Sequence, residues 1–108
     1  MASNTLSGDL ISERYGAALY DLASEKKCID DILKDFELVN KALKESSELR
    51  QVIKSPLVNS DEKLNILLKL FSEANLHNLT TTFLKVLDNN KRLSNISSII
   101  LQLSLIHI

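Results

Sequence analysis

Apolar residues recur along almost the whole chain at spacings of three and four, and one proline, Pro56, is all that interrupts them. A 3.6-residue period sustained this way predicts amphipathic helices. With two glycines and one proline in 108 residues, the sequence has little of the punctuation that an all-β fold needs. The stretch from Asp9 to Lys26 shows the pattern in an unusual form. Ile11, Tyr15, Ala18 and Leu22 fall at i, i+4, i+7 and i+11, one helical stripe, beside Gly16, Ala17, Leu19, Tyr20 and Ala23. Small residues next to aromatic ones let a second backbone approach closely while the rings supply buried area. Two readings follow: core packing inside a bundle, or the wall of a groove that receives a partner helix.

The same period predicts five further helices. Residues 1–8 are polar and read as a flexible N-terminus, and helix 1 should start near Asp9, whose carboxylate suits the positive end of the helix dipole. Helix 2 runs from about Ile29 to Lys44 on the stripe Ile29, Ile32, Leu33, Phe36, Val39 and Leu43, with Glu37 and Lys41 placed to pair on its solvated face. Ser46 is a plausible cap for a short helix 3, which Pro56 ends because the residue before a proline avoids the helical region. The segment Ser55 to Val58 should cross in extended form, pinned by a buried Leu57. Ser60 should cap helix 4, where Leu64, Ile66, Leu67, Leu68, Leu70 and Phe71 leave little polar face and predict a deep position. Helix 5 spans Asn78 to Asn89, although Thr80, Thr81 and Thr82 are poor helix formers that packing must hold. Helix 6 begins near Ser94. The expected fold class is all-α, a compact six-helix bundle over residues 9–105.

Chemistry has few candidates. Charge is balanced, 13 basic against 14 acidic residues, so there is no basic excess for phosphates and nucleic acid is disfavoured as a partner. His77 and His107 are far apart and neither has a second ligand at metal spacing. Cys28 stands alone, without the neighbouring base that nucleophilic catalysis needs. No Gly-rich phosphate loop and no nucleophile-elbow pattern occurs. The expectation is a non-catalytic protein with no cofactor. The apolar run from Ile96 to Ile108 is interrupted by Ser97, Ser98, Gln102 and Ser104 and is too short for a bilayer span of about 20 residues, so direct membrane insertion is not expected.

Three stretches carry a resemblance. Arg14-Tyr15-Gly16-Ala17-Ala18-Leu19-Tyr20-Asp21-Leu22-Ala23 resembles the RYA-x-AL-(F/Y)-x-LA opening of the delta subunit of F-type ATP synthase, a family whose mitochondrial member is the oligomycin sensitivity conferral protein. Leu49-Arg50-Gln51-Val52-Ile53-Lys54-Ser55-Pro56-Leu57-Val58, followed by Glu62-Lys63, is similar to a second motif. Leu79 to Leu93, with its Asn89-Asn90-Lys91-Arg92-Leu93 turn, is similar to the family's fifth helix. Each motif is weak alone; the three in order over residues 11 to about 100 are specific.

The resemblance implies the family's N-terminal six-helix domain and a mechanical role. Such a domain sits on the catalytic hexamer as part of the peripheral stalk, the stator that keeps the hexamer from turning with the rotor. Helices 1 and 5 of the family form a groove for the N-terminal helix of an alpha subunit. Carried onto this chain, the groove would use Tyr15, Ala18 and Leu22 from helix 1 and Leu79, Phe83 and Val86 from helix 5. The implied location is peripheral, on the cytoplasmic face of a bacterial inner membrane or the matrix side of the mitochondrial one. The family's C-terminal domain, which meets the b-subunit stalk, is expected to be absent, and residues 103–108 are expected to depart from family sequence. Lys91 stands where the family usually has Gly, so Asn90 or Lys91 must take a left-handed conformation. The reading kept beside this one is an unrelated helical adaptor or regulator, with Tyr15 and Phe83 fully buried and no trough between helices 1 and 5.

Overall fold

The structure, a computed structural model, describes the backbone of residues 2–107 and the side chains of residues 10–107. It contains six α-helices among the described residues: α1 (Ala2–Glu25), α2 (Ile29–Glu45), α3 (Ser47–Lys54), α4 (Ser60–Leu70), α5 (Asn78–Asn89) and α6 (Ile96–Ile106), the last preceded by a 3₁₀ turn at Leu93–Asn95. No strand occurs among these residues. The bounds of α1 start well before Asp9, the expected first turn. The expected flexible segment 1–8 and the side chain of Asp9 lie outside the residues whose side chains are described.

One core joins all six helices. Leu19, Ile32, Phe36, Val39, Ile53, Leu67, Leu84, Leu87, Leu93, Ile96, Ile99 and Leu103 are almost completely buried. α6 packs most extensively along α1 and also against α2, so it forms the spine of the bundle. The helix ends show why the chain stops where it does. Ser46 Oγ accepts from the Leu49 N–H at 3.1 Å and starts α3, as its sequence position predicted. α1 ends with Lys27 in the left-handed region at φ 57°, which lets the Cys28 N–H reach the Ala23 carbonyl at 2.9 Å. α5 ends the same way: Lys91, not Asn90, takes the left-handed turn at φ 58°, and the Arg92 N–H donates to the Leu87 carbonyl at 2.7 Å.

α5 has an anchor that the sequence did not announce. His77 is its N-cap, with Nδ1 accepting from the Leu79 N–H at 3.0 Å. Asp35, on α2, accepts from the His77 N–H at 2.8 Å and from Thr80 Oγ1 at 2.7 Å. A carboxylate from a neighbouring helix therefore fixes the threonine-rich first turn, which is how packing overrides its low propensity.

Four expectations change. Leu57 is 92% exposed instead of buried, because the Ser55–Val58 crossing is held by its own Ser55 Oγ, which accepts from the Leu57 N–H at 3.1 Å. Asn59, not Ser60, is the cap residue of α4, and Ser60 Oγ instead donates to the Asp88 carbonyl of α5 at 3.0 Å. α4 is also shallower than its composition suggests: Ile66 and Leu70 are exposed, since the helix packs on α5 and leaves its other side open. On α2, the ion pair that forms is Lys41–Glu45, at 4.0 Å, not Glu37–Lys41.

Candidate partner-binding site

The outer face of α1 is decided by how α1 meets α6. The buried line on α1 is Ser12, Gly16, Leu19 and Ala23. At Gly16 a Cβ would stand 3.1 Å from Gln102 Cβ, 3.5 Å from the Leu103 nitrogen and 3.6 Å from the Ile99 carbonyl oxygen. The absent side chain thus lets the α6 backbone come into contact with α1. Turning this small-residue line inward rotates the neighbouring line, Ile11, Tyr15, Ala18 and Leu22, toward solvent. Ile11 and Tyr15 are half-buried, Ala18 is exposed and Leu22 is 39% exposed.

Tyr15 bridges α1 to α5. Its ring meets Phe83 edge-on at a centroid distance of 6.1 Å, and Phe83 meets Phe36 edge-on at 5.9 Å, so aromatic contact runs from the surface into the core. The Tyr15 hydroxyl accepts from Asn90 Nδ2 at 3.0 Å. α1 has its main packing with α6, and its approach to α5 is carried by Tyr15. Above this bridge lies a depression of about 380 Å³ lined by Ile11, Arg14, Tyr15, Ala18 and Arg92. Val86, 42% exposed, extends the apolar surface on α5.

The six residues carried over from the resemblance therefore divide. Tyr15 and Ala18 line the depression, and Leu22 and Val86 present apolar surface outside it. Leu79 and Phe83 are each 8% exposed and belong to the core, Phe83 supporting Tyr15 from below. Arg14 and Arg92 were not among the expected site residues, although both stand inside the motifs quoted above. Nothing in the local pattern places Arg92 near α1; the turn after α5 does so in three dimensions. Neither arginine side chain has an ion-pair or hydrogen-bond partner among the described residues. Three larger depressions lie elsewhere: between α2 and α6 at about 440 Å³, over Leu49, Val52, Ile66 and Leu70 at about 470 Å³, and along α3 over Arg50 and Lys54 at about 430 Å³.

Groups of catalytic type do not converge. Cys28 is buried ahead of α2, and no cluster of three or more His, Cys, Asp or Glu able to hold a metal occurs among the described residues. His107 packs its ring near Tyr20 at 6.2 Å. The one perturbed acid among the described residues is Asp61 at the start of α4. A hydrogen bond to the Asp88 carboxyl, then like-charge repulsion from it, then a small desolvation raise its pKa above the ordinary 3.8. No helix among the described residues is long and apolar enough to cross a membrane.

Comparison with known proteins agrees with this architecture. Residues 11–107 match the family model described as ATP synthase delta (OSCP) subunit. The match runs through the apolar end of α6, as far as residue 107. The chain is similar to the ATP synthase subunit delta of Nitrobacter winogradskyi, 37% identical over 90 residues, which are 83% of this chain and 48% of that one. It is also similar to the subunit delta of Carboxydothermus hydrogenoformans, 38% identical over 82 residues, covering 76% of this chain and 45% of that one. The subunit delta of Bradyrhizobium sp. strain ORS 278 is 31% identical over 100 residues, 93% of this chain and 54% of the relative. The chain spans about half the length of these curated relatives. The family match and the three similar relatives together place this chain in the ATP synthase delta (OSCP) subunit family.

Proposed function

We propose that this chain is a non-catalytic element of the peripheral stalk of an F-type ATP synthase, and that it binds the N-terminal helix of an alpha subunit over the outer faces of α1 and α5. In this reading it helps to hold the catalytic hexamer static during rotary synthesis, peripheral to the membrane on the side that carries the hexamer. The observation that carries the proposal is the outward-facing line Ile11–Tyr15–Ala18–Leu22 with Val86 beside it. A folded domain keeps a half-exposed apolar stripe at helical spacing at a cost in solubility, which a partner helix offsets. The recognition is of the helix-in-groove kind, with apolar anchors at i, i+4 and i+7. A partner helix of about 15–20 residues would bury on the order of 1,000 Å² in total, the lower range of specific interfaces.

Titration calorimetry with a synthetic peptide covering roughly the first twenty residues of the alpha subunit from the same organism tests the site. The expected result is saturable one-to-one binding, weakened about tenfold or more when Ala18 or Val86 is replaced by Asp. A folded protein that binds no such peptide would overturn the reading.

A further inference from the structure

The depression above Tyr15 has an apolar floor and a cationic margin. Its lining includes two guanidinium groups, Arg14 from α1 and Arg92 from the turn after α5, and no carboxylate. Arg14 is exposed, Arg92 is half-buried, and neither has an ion-pair or hydrogen-bond partner among the described residues. The two arginines line the depression with Ile11, Tyr15 and Ala18, toward the N-terminal end of the apolar line, whereas Leu22, one turn beyond Ala18, lies outside it. We infer that the helix docking here presents a carboxylate side chain to Arg14 and Arg92, and that this charge contact fixes its register. The inference rests on the docking reading above and adds the chemistry of the occupant.

The physical argument concerns desolvation. A purely apolar helix laid over this surface would strip water from two guanidiniums and return nothing, which is costly. One Asp or Glu over that end replaces the lost hydration with charge-assisted hydrogen bonds, and the planar donor fork of arginine suits a carboxylate. An apolar line alone also leaves the partner free to slide by a turn, because Ala18 and Leu22 present similar surfaces one turn apart. A charge pair at one end removes that freedom, as charges at interfaces generally set register and specificity.

The test compares two peptides on the 108-residue chain. One covers the first twenty or so residues of the alpha subunit; the other carries Gln for every Glu and Asn for every Asp. The acidic peptide is expected to bind roughly tenfold more tightly at low salt, with the gap shrinking toward about 0.5 M salt. In the Arg14→Gln/Arg92→Gln variant, checked for a native circular-dichroism spectrum, the two peptides should bind equally. If both bind the parent protein with the same affinity, or if the alpha segment contains no acid, the charge inference falls and the docking reading stands. If neither peptide binds, the docking reading falls and takes this inference with it.

Discussion

Along α1, the line Ser12–Gly16–Leu19–Ala23 is buried against α6, whereas the line Ile11–Tyr15–Ala18–Leu22, one residue earlier at each step, faces outward. By hydrophobicity the outward line is the stronger candidate for the core. The inward line wins because Gly16 lets α6 approach to backbone contact, and a close helix pair gains dispersion contacts over its whole length. The comparison teaches that on this helix Gly16, with Ser12 and Ala23, opens the intramolecular seam that Leu19 fills, while Ile11, Tyr15 and Leu22 keep apolar surface on the outer side.

The most direct way to break the comparison is to truncate one leucine from each line. Leu19→Ala should cost roughly 3 kcal/mol, because Leu19 is 1% exposed and the cavity cannot refill. That corresponds to a fall in Tm on the order of 10–20 °C. Leu22→Ala should cost less than about 1 kcal/mol and show itself in peptide affinity instead. Equal losses of Tm for the two variants would refute the assignment of faces.

Gly16 sharpens the same contrast. Gly16→Leu should destabilise by about 2–3 kcal/mol by pushing α6 away, read as a lower urea midpoint. Gly16→Ala is expected within about 1 kcal/mol of the parent, since the helix-propensity gain opposes the 3.1 Å contact with Gln102 Cβ. On the outward line, Ala18→Asp should leave the urea midpoint almost unchanged while weakening the alpha-peptide complex about tenfold or more.

At the far end of the site, Lys91→Gly should stabilise by roughly 0.5–1 kcal/mol, because the left-handed turn at φ 58° strains a side-chain-bearing residue and suits glycine. A drop in Tm would mean that the lysine side chain holds the turn that positions Asn90 and Arg92. The smallest effect belongs to Asp61→Asn, remote from both lines. The folded-state pKa of Asp61 is raised above 3.8, so the stability it contributes is present below that pH and is lost as pH rises through the folded value. Relative to the parent, the Asn variant should therefore gain in Tm as pH rises above about 4, a trend that thermal melts at a series of pH values would reveal. A constant difference would remove the Asp61–Asp88 contact from the account.

Much of the fold was legible because local signals agreed with packing. The bounds Asn78–Asn89 of α5 match the expected ones, Ser46 caps α3, and of the expected α2 stripe Ile32, Phe36, Val39 and Leu43 are buried, with Ile29 and Leu33 half-buried at its edge. The site was legible in part. Tyr15 and Ala18 line the depression, but Leu79 and Phe83 lie beneath the surface, and Arg92 reaches α1 only through the turn that follows α5. The apolar count of α4 misled because Ile66 and Leu70 border an open depression shared with Leu49 and Val52 of α3 and do not pack closely there, a fact about neighbours and not about α4.

The sequence by itself determined six helices, the Ser46 cap of α3, a balanced charge and three family motifs, since each depends on residues within a few positions of one another. The tertiary structure decided which side of α1 is the core. That choice rests on the contact of Gly16 with Ile99, Gln102 and Leu103, more than 80 residues away, where the close approach of two backbones outweighs the larger apolar area of Tyr15 and Leu22.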